Sequence, residues 1–464
     1  MDILYRHLGF EPTGGQKILI DALAQMLCSS SNRQLALVKG YAGTGKTSVI
    51  SAFVRTLNDF RMRPVLMAPT GRAAKVLSAY SDEQAFTIHK KIYRKKSSAG
   101  IMGSFVLNFN TYNNTFFIVD EASMISRYSA DRSLFGSGNL LDDVLKFVYN
   151  DRNCRLILIG DTAQLPPVGQ EESPALDRSR LEGYGLEVFE CELTEVVRQQ
   201  QESGILKNAT IVRELITNLQ TGYPALETAT ITDVERITGG ELIETINEAY
   251  DKYGIDETIV ICRSNKQANR YNQGIRNRIL YRDEELTSGD FLMVVRNNYH
   301  WIKDEENISF IANGDIVRLI RIRKYIERYD FRFAEVDICL PDYDNYEFTA
   351  IIMLDALCSE AASITEEQNR RLYYSVAEDY AHIPTKAQRY NAIREDPFFN
   401  ALQVKFAYAV TCHKAQGGQW QCVFLDHGWI TDEMLNIEYL RWLYTAITRA
   451  SEKLYLVNFS EKFF

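Results

Sequence analysis

The chain is predicted to be an α/β protein built on two parallel sheets. Three observations predict this: two separate sets of short apolar runs interleaved with helical patterns, a glycine-rich loop set between such a run and a helix, and a break between the two sets where alternation with period two takes over. The first set is "QLALVK" (34–39), "PVLMAP" (64–69), "TFFIVDE" (115–121) and "RLILIGD" (155–161). Runs that are apolar throughout suit strands buried on both faces, with crossover helices between them. The second set is "ETIVICRS" (257–264), "KFAYAVTC" (405–412), "WQCVFLD" (420–426) and "KLYLVNF" (453–459). Between them, "FLMVVRNNY", "ENISFIANGDIVRLIRI" and "RFAEVDICL" alternate polar and apolar residues, with a turn expected at Asn313-Gly314. The resulting division is a first domain over 1–195 with a small outgrowth at about 91–114, a second over 196–289 and 386–464, and a β-rich insertion over 290–385.

Composition bounds the function. Of 464 residues, 46% are hydrophobic and 24% charged, in the range of soluble globular proteins. No run approaches the roughly 20 apolar residues of a membrane span, and "MDILYRHLGFEPTGGQ" lacks the layout of a signal peptide. Eight cysteines, none in a C-x-x-C pair, read as reduced thiols of a cytoplasmic protein. The net charge of −9 weighs against a nucleic-acid partner, but a groove can be basic on an acidic body. "HKKIYRKK" (89–96) and "RLIRIRKYIER" (318–328) are local basic stretches, equally readable as solvated faces.

"GYAGTGKTSVI" (40–50) has the form G-x-x-x-x-G-K-[ST]. An apolar run precedes it, and Ile50, Phe53, Val54 and Leu57 follow at helical spacing. Gly40, Gly43 and Gly45 let backbone N–H groups of Tyr41, Ala42, Thr44 and Ser48's turn approach phosphate oxygens, at the positive end of a helix starting near Lys46. Lys46 is suited to the β- and γ-phosphates, and Thr47 to Mg²⁺. "TFFIVDEASMI" delivers Asp120 and Glu121 at the end of a buried strand; Asp120 would hold Mg²⁺ and Glu121 accept a proton from attacking water. Read alone, "DEAS" is also a helix-capping acidic pair. "LILIGDTAQLPPVG" (156–169) ends a third strand and places Gln164 in a tight loop, where its amide would bond the γ-phosphate and the water.

In this order the segments resemble a superfamily 1 helicase, of the 5′→3′ branch typified by RecD and Dda. "PTGGQ", "GYAGTGKT", "APTGRAAKVL", "TIHK", "VDEASM", "GDTAQLPPV", "LTEVVRQ", "AVTCHKAQGGQW" and "YTAITRA" are similar to that family's motifs, and together they cover nearly the whole chain. The resemblance implies two RecA-like P-loop domains with a small barrel in the second, an ATP- and Mg²⁺-dependent DNA helicase, and a monomer working on single-stranded DNA and tailed duplex without a membrane. It implies that Gln16 reads adenine, that Arg198 and Arg449 act as arginine fingers, and that Gly417 lies by the nucleotide. It implicates Pro69, Thr70, Gly71, Thr87, His89, Thr411 and His413 in DNA contact, with Arg263, Ser264 and Asn265 by analogous placement. For His89 and His413 a structural role is the alternative. One departure is Gly417-Gly418-Gln419, where several relatives carry glutamate two places after the glycine. With 15 residues ahead of Gln16, Dda-like compactness is expected. Two rivals stay open: a translocase that remodels nucleoprotein without separating strands, and a regulatory nucleotide binder without turnover, against which the full set of catalytic side chains argues.

Overall fold

The structure is a computed structural model and describes residues 1–95, 105–126, 136–150, 152–197, 203–229, 231–302 and 310–464. Chain order begins with helices α1 (Asp2–Leu8) and α2 (Gly14–Cys28), the second opened by a capping box in which Thr13 and Gln16 exchange side-chain and backbone bonds. Strand β1 (Gln34–Gly40), helix α3 (Lys46–Asp59), β2 (Arg63–Ala68), α4 (Gly71–Ser81), β3 (Ala85–Thr87) and α5 (Ile88–Ile92) follow. A short antiparallel pair, β4 (Tyr93–Lys95) and β5 (Phe105–Leu107), forms the outgrowth. Then come β6 (Thr115–Val119), α6 (Leu140–Val148), β7 (Cys154–Gly160), α7 (Arg178–Gly183) and β8 (Glu187–Leu193). Six of these strands make one sheet in the order β3-β2-β6-β7-β1-β8, parallel at every pairing. Its central strands are buried from end to end, as the unbroken apolar runs require.

The second domain opens with α8 (Gly204–Thr217), β9 (Val234–Ile237), α9 (Leu242–Tyr253), β10 (Thr258–Cys262) and α10 (Asn265–Arg278). The insertion is a closed barrel of β11 (Phe291–Val294), β12 (Ile316–Arg328), β13 (Phe331–Leu340), β14 (Tyr346–Met353) and β15 (Leu402–Phe406), with α11 (Glu366–Asp379) and α12 (Lys386–Glu395) before its last strand. The chain then returns through β16 (Ala409–Thr411), α13 (Cys412–Ala415), β17 (Trp420–Asp426), α14 (Ile437–Ile447) and β18 (Ala450–Val457). The second sheet, β16-β10-β17-β18-β9, is again wholly parallel.

One sequence expectation is corrected. The run "KFAYAVTC" is not one strand of the second sheet: Leu402–Phe406 closes the barrel against β11 and β14, and only Ala409–Thr411 joins the sheet. An apolar run buried on both faces carries no sign of where the chain changes partner. The turn expected at Asn313-Gly314 is present just ahead of β12, closed by Asp315 N donating to Ala312 O (3.1 Å), and a second, tight hairpin lies at Tyr329–Asp330, both with φ 58°. The basic stretch 318–328 is β12 itself. Its Arg321 and Arg323 pair with Asp337 and Lys324 with Glu335 across the strand, a solvated face.

A buried polar knot joins barrel to sheet. Asp290, fully buried, accepts from Arg276 (Nε 3.2 Å, Nη2 3.1 Å), Arg282 (2.8 Å), the Tyr408 hydroxyl (2.9 Å) and the Thr287 N–H (2.8 Å).

Candidate functional site

The glycine-rich loop leaves β1 and enters α3. Gly43 and Gly45 take φ of 74° and 75°, in the left-handed region where a side chain is strained. At Gly45 a Cβ would also lie 2.4 Å from Gln16 Nε2. Lys46 Nζ donates to Gly40 O (2.7 Å) and Tyr41 O (2.8 Å), curling back over the loop. Thr47 and Ser48 continue the first turn of α3. Gln16 is fully buried; its Oε1 accepts from Thr13 N (3.0 Å) and its Nε2 donates to Thr44 O (3.0 Å). The amide that the resemblance assigns to an adenine edge is therefore engaged with the loop's own backbone.

Asp120 and Glu121 stand just past the end of β6. Asp120 Oδ1 accepts from Glu121 N (2.8 Å), and Glu121 is left-handed at φ 52°. Burial, and Glu121 beside it, push the Asp120 carboxyl up to about 6, against the pull of Lys46 and Arg449. A buried carboxylate beside Lys46, whose chain neighbour Thr47 has no hydrogen-bond partner for its hydroxyl among the described residues, is a donor set that fits a hard cation such as Mg²⁺, which takes one or two protein oxygens and the substrate's phosphates.

Gln164 lies in the loop after β7. It is buried, and its Oε1 has no hydrogen-bond partner among the described residues. Such an atom costs free energy unless something else binds it. Asp161, at the head of this loop, accepts from Ala163 N (2.9 Å), and burial raises its carboxyl while nearby Lys46 opposes.

The second domain reaches this site through α14 and the turn after it. Arg449 is buried, held by Nε to Thr445 O (3.1 Å) and Nη1 to Gly418 O (3.1 Å), and its Nη1 stands 3.8 Å from Glu121 Oε1. Tyr444 is also buried. Its hydroxyl donates to Asp161 Oδ2 (2.7 Å) and accepts the Ala42 N–H of the phosphate loop (2.9 Å). Thr445 Oγ1 accepts from Leu165 N (2.8 Å), and Gln416 Nε2 donates to Leu165 O (2.7 Å). Residues 444, 445 and 449 lie in the last turn of α14 and just past it, so one short segment touches the loop of Gln164, the phosphate loop and Glu121 together. From α8, the Arg213 guanidinium stacks 4.6 Å from the Tyr41 ring centre. Sequence reading singled out Arg449 in this region and passed over Tyr444, Thr445, Gln416 and Arg213. The first three lie inside quoted motif segments; nothing in the pattern marks Arg213. Arg198 lies outside the described residues.

The candidate DNA contacts repeat one local design. Thr70 caps α4 after β2, Thr87 caps α5 after β3, and Ser264 caps α10 after β10, each hydroxyl accepting a helix N–H three residues on. Thr411 precedes α13 after β16 without such a bond. The four strands are the two at one edge of each sheet. Each turn thus offers the positive end of a helix, and a capping hydroxyl still has its own proton to donate. Pro69, Gly71, Asn265 and Arg263 flank these turns; Arg263 is exposed and lies 5.6 Å from the Tyr439 ring. His89 packs beside Tyr93 (5.7 Å) and Phe310 (6.3 Å), and burial lowers it to about 4, so the ring is neutral. His413 is exposed in outline and lowered by partial burial.

Gly417 (φ 73°) packs on the first domain: a Cβ there would meet Ala73 at 3.1 Å and Thr70 Oγ1 at 3.2 Å. Gln419 turns toward α4, its carbonyl accepting from Arg72 (2.8 Å) and its amide oxygen from the Tyr80 hydroxyl (3.5 Å). Arg72 stacks on Trp420 (4.1 Å), and Lys75 pairs with Asp342 of the barrel (2.9 Å).

Residues 14–242 match the AAA domain family, and residues 406–457 match the UvrD-like helicase C-terminal domain. The two stretches together take in more than half of the chain. An uncharacterized protein of Acanthamoeba polyphaga mimivirus is 23% identical over 95% of this chain and 98% of its own length. The ATP-dependent DNA helicase dda of Enterobacteria phage T4 is 26% identical over 66% of this chain and 67% of its own length. The ATP-dependent RecD2 DNA helicase of Deinococcus radiodurans is 28% identical over 34% of this chain and 19% of its own length.

Proposed function

We propose, for a chain that belongs to the RecD/Dda-like branch of the superfamily 1 helicases, that it hydrolyses ATP between its two α/β domains and uses the cycle to move 5′→3′ along single-stranded DNA, displacing the complementary strand. The observation that carries this reading is the position of Arg449: a second-domain guanidinium 3.8 Å from the first-domain carboxylate Glu121.

In this reading the loop from Gly40 to Thr47 cradles the phosphates and Lys46 leaves the loop carbonyls for the β- and γ-phosphate oxygens. Asp120 and Thr47 would hold Mg²⁺, which when bound supplies charge neutralisation at the phosphates. Glu121 takes a proton from the attacking water, which Gln164 Oε1 orients. Arg449, with Arg198 as a second finger, stabilises charge on the transferring group, an effect worth about 10³–10⁵ in rate for such transfers. The domains must close to bring Arg449 in, so product loss lets them part. The three capped helix ends and the turn at Thr411 grip phosphates of one strand without reading bases. Gln16 braces the loop through Thr44 O and in this reading reads the adenine edge, and Gly417 lets the second domain approach α4. All eight cysteines are free, which accords with a cytoplasmic protein, here read as a monomer.

Unwinding is tested on duplexes carrying one single-stranded tail. Displacement from a 5′ tail and none from a 3′ tail is the expected result, and the reverse defeats the polarity. ATP turnover stimulated by single-stranded DNA without displacement from either substrate selects the translocase reading.

A further inference from the structure

We propose that a groove of about 520 Å³ at the outer edge of the first domain binds the sugar–phosphate backbone of duplex DNA. The proposal deepens the helicase reading, and rests on it, by giving the duplex ahead of the tracked strand its own seat.

The groove is lined by Arg61 and Arg63 at the entry to β2, by Phe86 of β3 and Lys91 of α5, and by Tyr112 just before β6. Glu83 is its one acidic wall residue, and it accepts from Asn58 (3.3 Å). Among the described residues, no carboxylate lies within ion-pair distance of Arg61, Arg63 or Lys91. Three uncompensated cations in one groove stand out on a chain of net charge −9, and they call for an anionic ligand with spaced charges.

The rings decide which form of nucleic acid. Lys91 lies 4.2 Å from the Phe86 ring centre and 5.0 Å from that of Tyr112, and Arg63 lies 5.6 Å from Tyr112. Lys90 also stands 5.0 Å from Phe86. The aromatic faces are covered by cations, so they hold charge in place and are not free to stack unpaired bases. A single strand gains much of its affinity from open ring faces. A duplex, whose bases already stack on each other, needs only the cations.

The groove is also distinct from the candidate strand contacts. Arg63 opens β2, while Pro69 and Thr70 follow its other end, about 20 Å away at strand spacing. The two places converge along the short helix α5, where Lys91 of the groove lies one turn, about 6 Å, past Thr87, so a strand over one and a duplex in the other would meet at a fork.

The test is fluorescence anisotropy of wild type and the triple variant R61A/R63A/K91A on a blunt duplex and on a single strand of equal length, across salt. Each lost phosphate contact should flatten the duplex log–log salt slope by about 0.9, so the triple variant should lose about 2 to 3 units of slope and at least about tenfold in low-salt affinity. Single-strand binding, and ATP turnover stimulated by single strands, should stay at wild-type level, which also reports an intact fold. The charge-keeping variant R61K/R63K/K91R should retain duplex binding. An unchanged duplex slope in the triple variant overturns the groove while leaving the helicase reading intact, as does an equal loss on duplex and single strand. A wild-type protein that binds no DNA overturns both.

Discussion

The domains meet along two seams that differ in kind. At the nucleotide seam most contacts are buried and directional: the Tyr444 hydroxyl between Asp161 and the Ala42 N–H, Thr445 on Leu165 N, Arg449 facing Glu121. At the α4 seam the contacts are broad and partly wet: Arg72 stacked on Trp420, Gly417 against Ala73, and Lys75, 56% exposed, paired with Asp342. Buried, charge-assisted bonds at short range have one best geometry, whereas a stacked guanidinium and an exposed ion pair tolerate sliding. The first seam is therefore the more sensitive of the two to the spacing of the domains, and the second the more tolerant.

The contrast fails or sharpens under substitution. Arg449→Ala should remove about a thousandfold or more of DNA-stimulated kcat, with single-strand affinity little changed; a loss under tenfold in steady-state turnover would make this seam no more demanding than the other. Tyr444→Phe deletes one hydroxyl and keeps the ring. The loss of a bond to a charged group, about 1.5–3 kcal/mol, should lower kcat about tenfold to a hundredfold with a smaller change in KM. Wild-type kcat in that variant would mean the phenol only fills space. Lys75→Ala should change kcat and KM less than about threefold, because an exposed pair contributes about 0–1 kcal/mol. A loss approaching that of Arg449→Ala would abolish the distinction between the seams.

Much of this was legible in the sequence where a function is confined to one contiguous strand–loop–helix unit. Asp120 falls at the end of β6 and Lys46 opens the helix after β1 because the apolar runs before them fix where β1 and β6 stop. The parallel order of both sheets follows from the same runs. What escaped depends on contacts between distant segments. Tyr444 reads as one more aromatic on an apolar helix face until the fold sets it 402 residues away against Ala42. Arg213 is an ordinary helical arginine until α8 lies beside Tyr41. The split of 402–411 between barrel and sheet is decided by strand pairing, which a uniformly apolar run does not encode.

That split has a mechanical result. Only Ala407 and Tyr408 separate the last barrel strand from the edge strand of the second sheet; Ala407 N bonds Phe291 O, and Tyr408 is tied through Asp290 to both arginines of α10 and its following turn. With no slack at that joint, the barrel is a fixed lever arm of the second sheet. Any rotation that withdraws Arg449 from Glu121 must sweep the barrel's far rim through a proportionally longer arc.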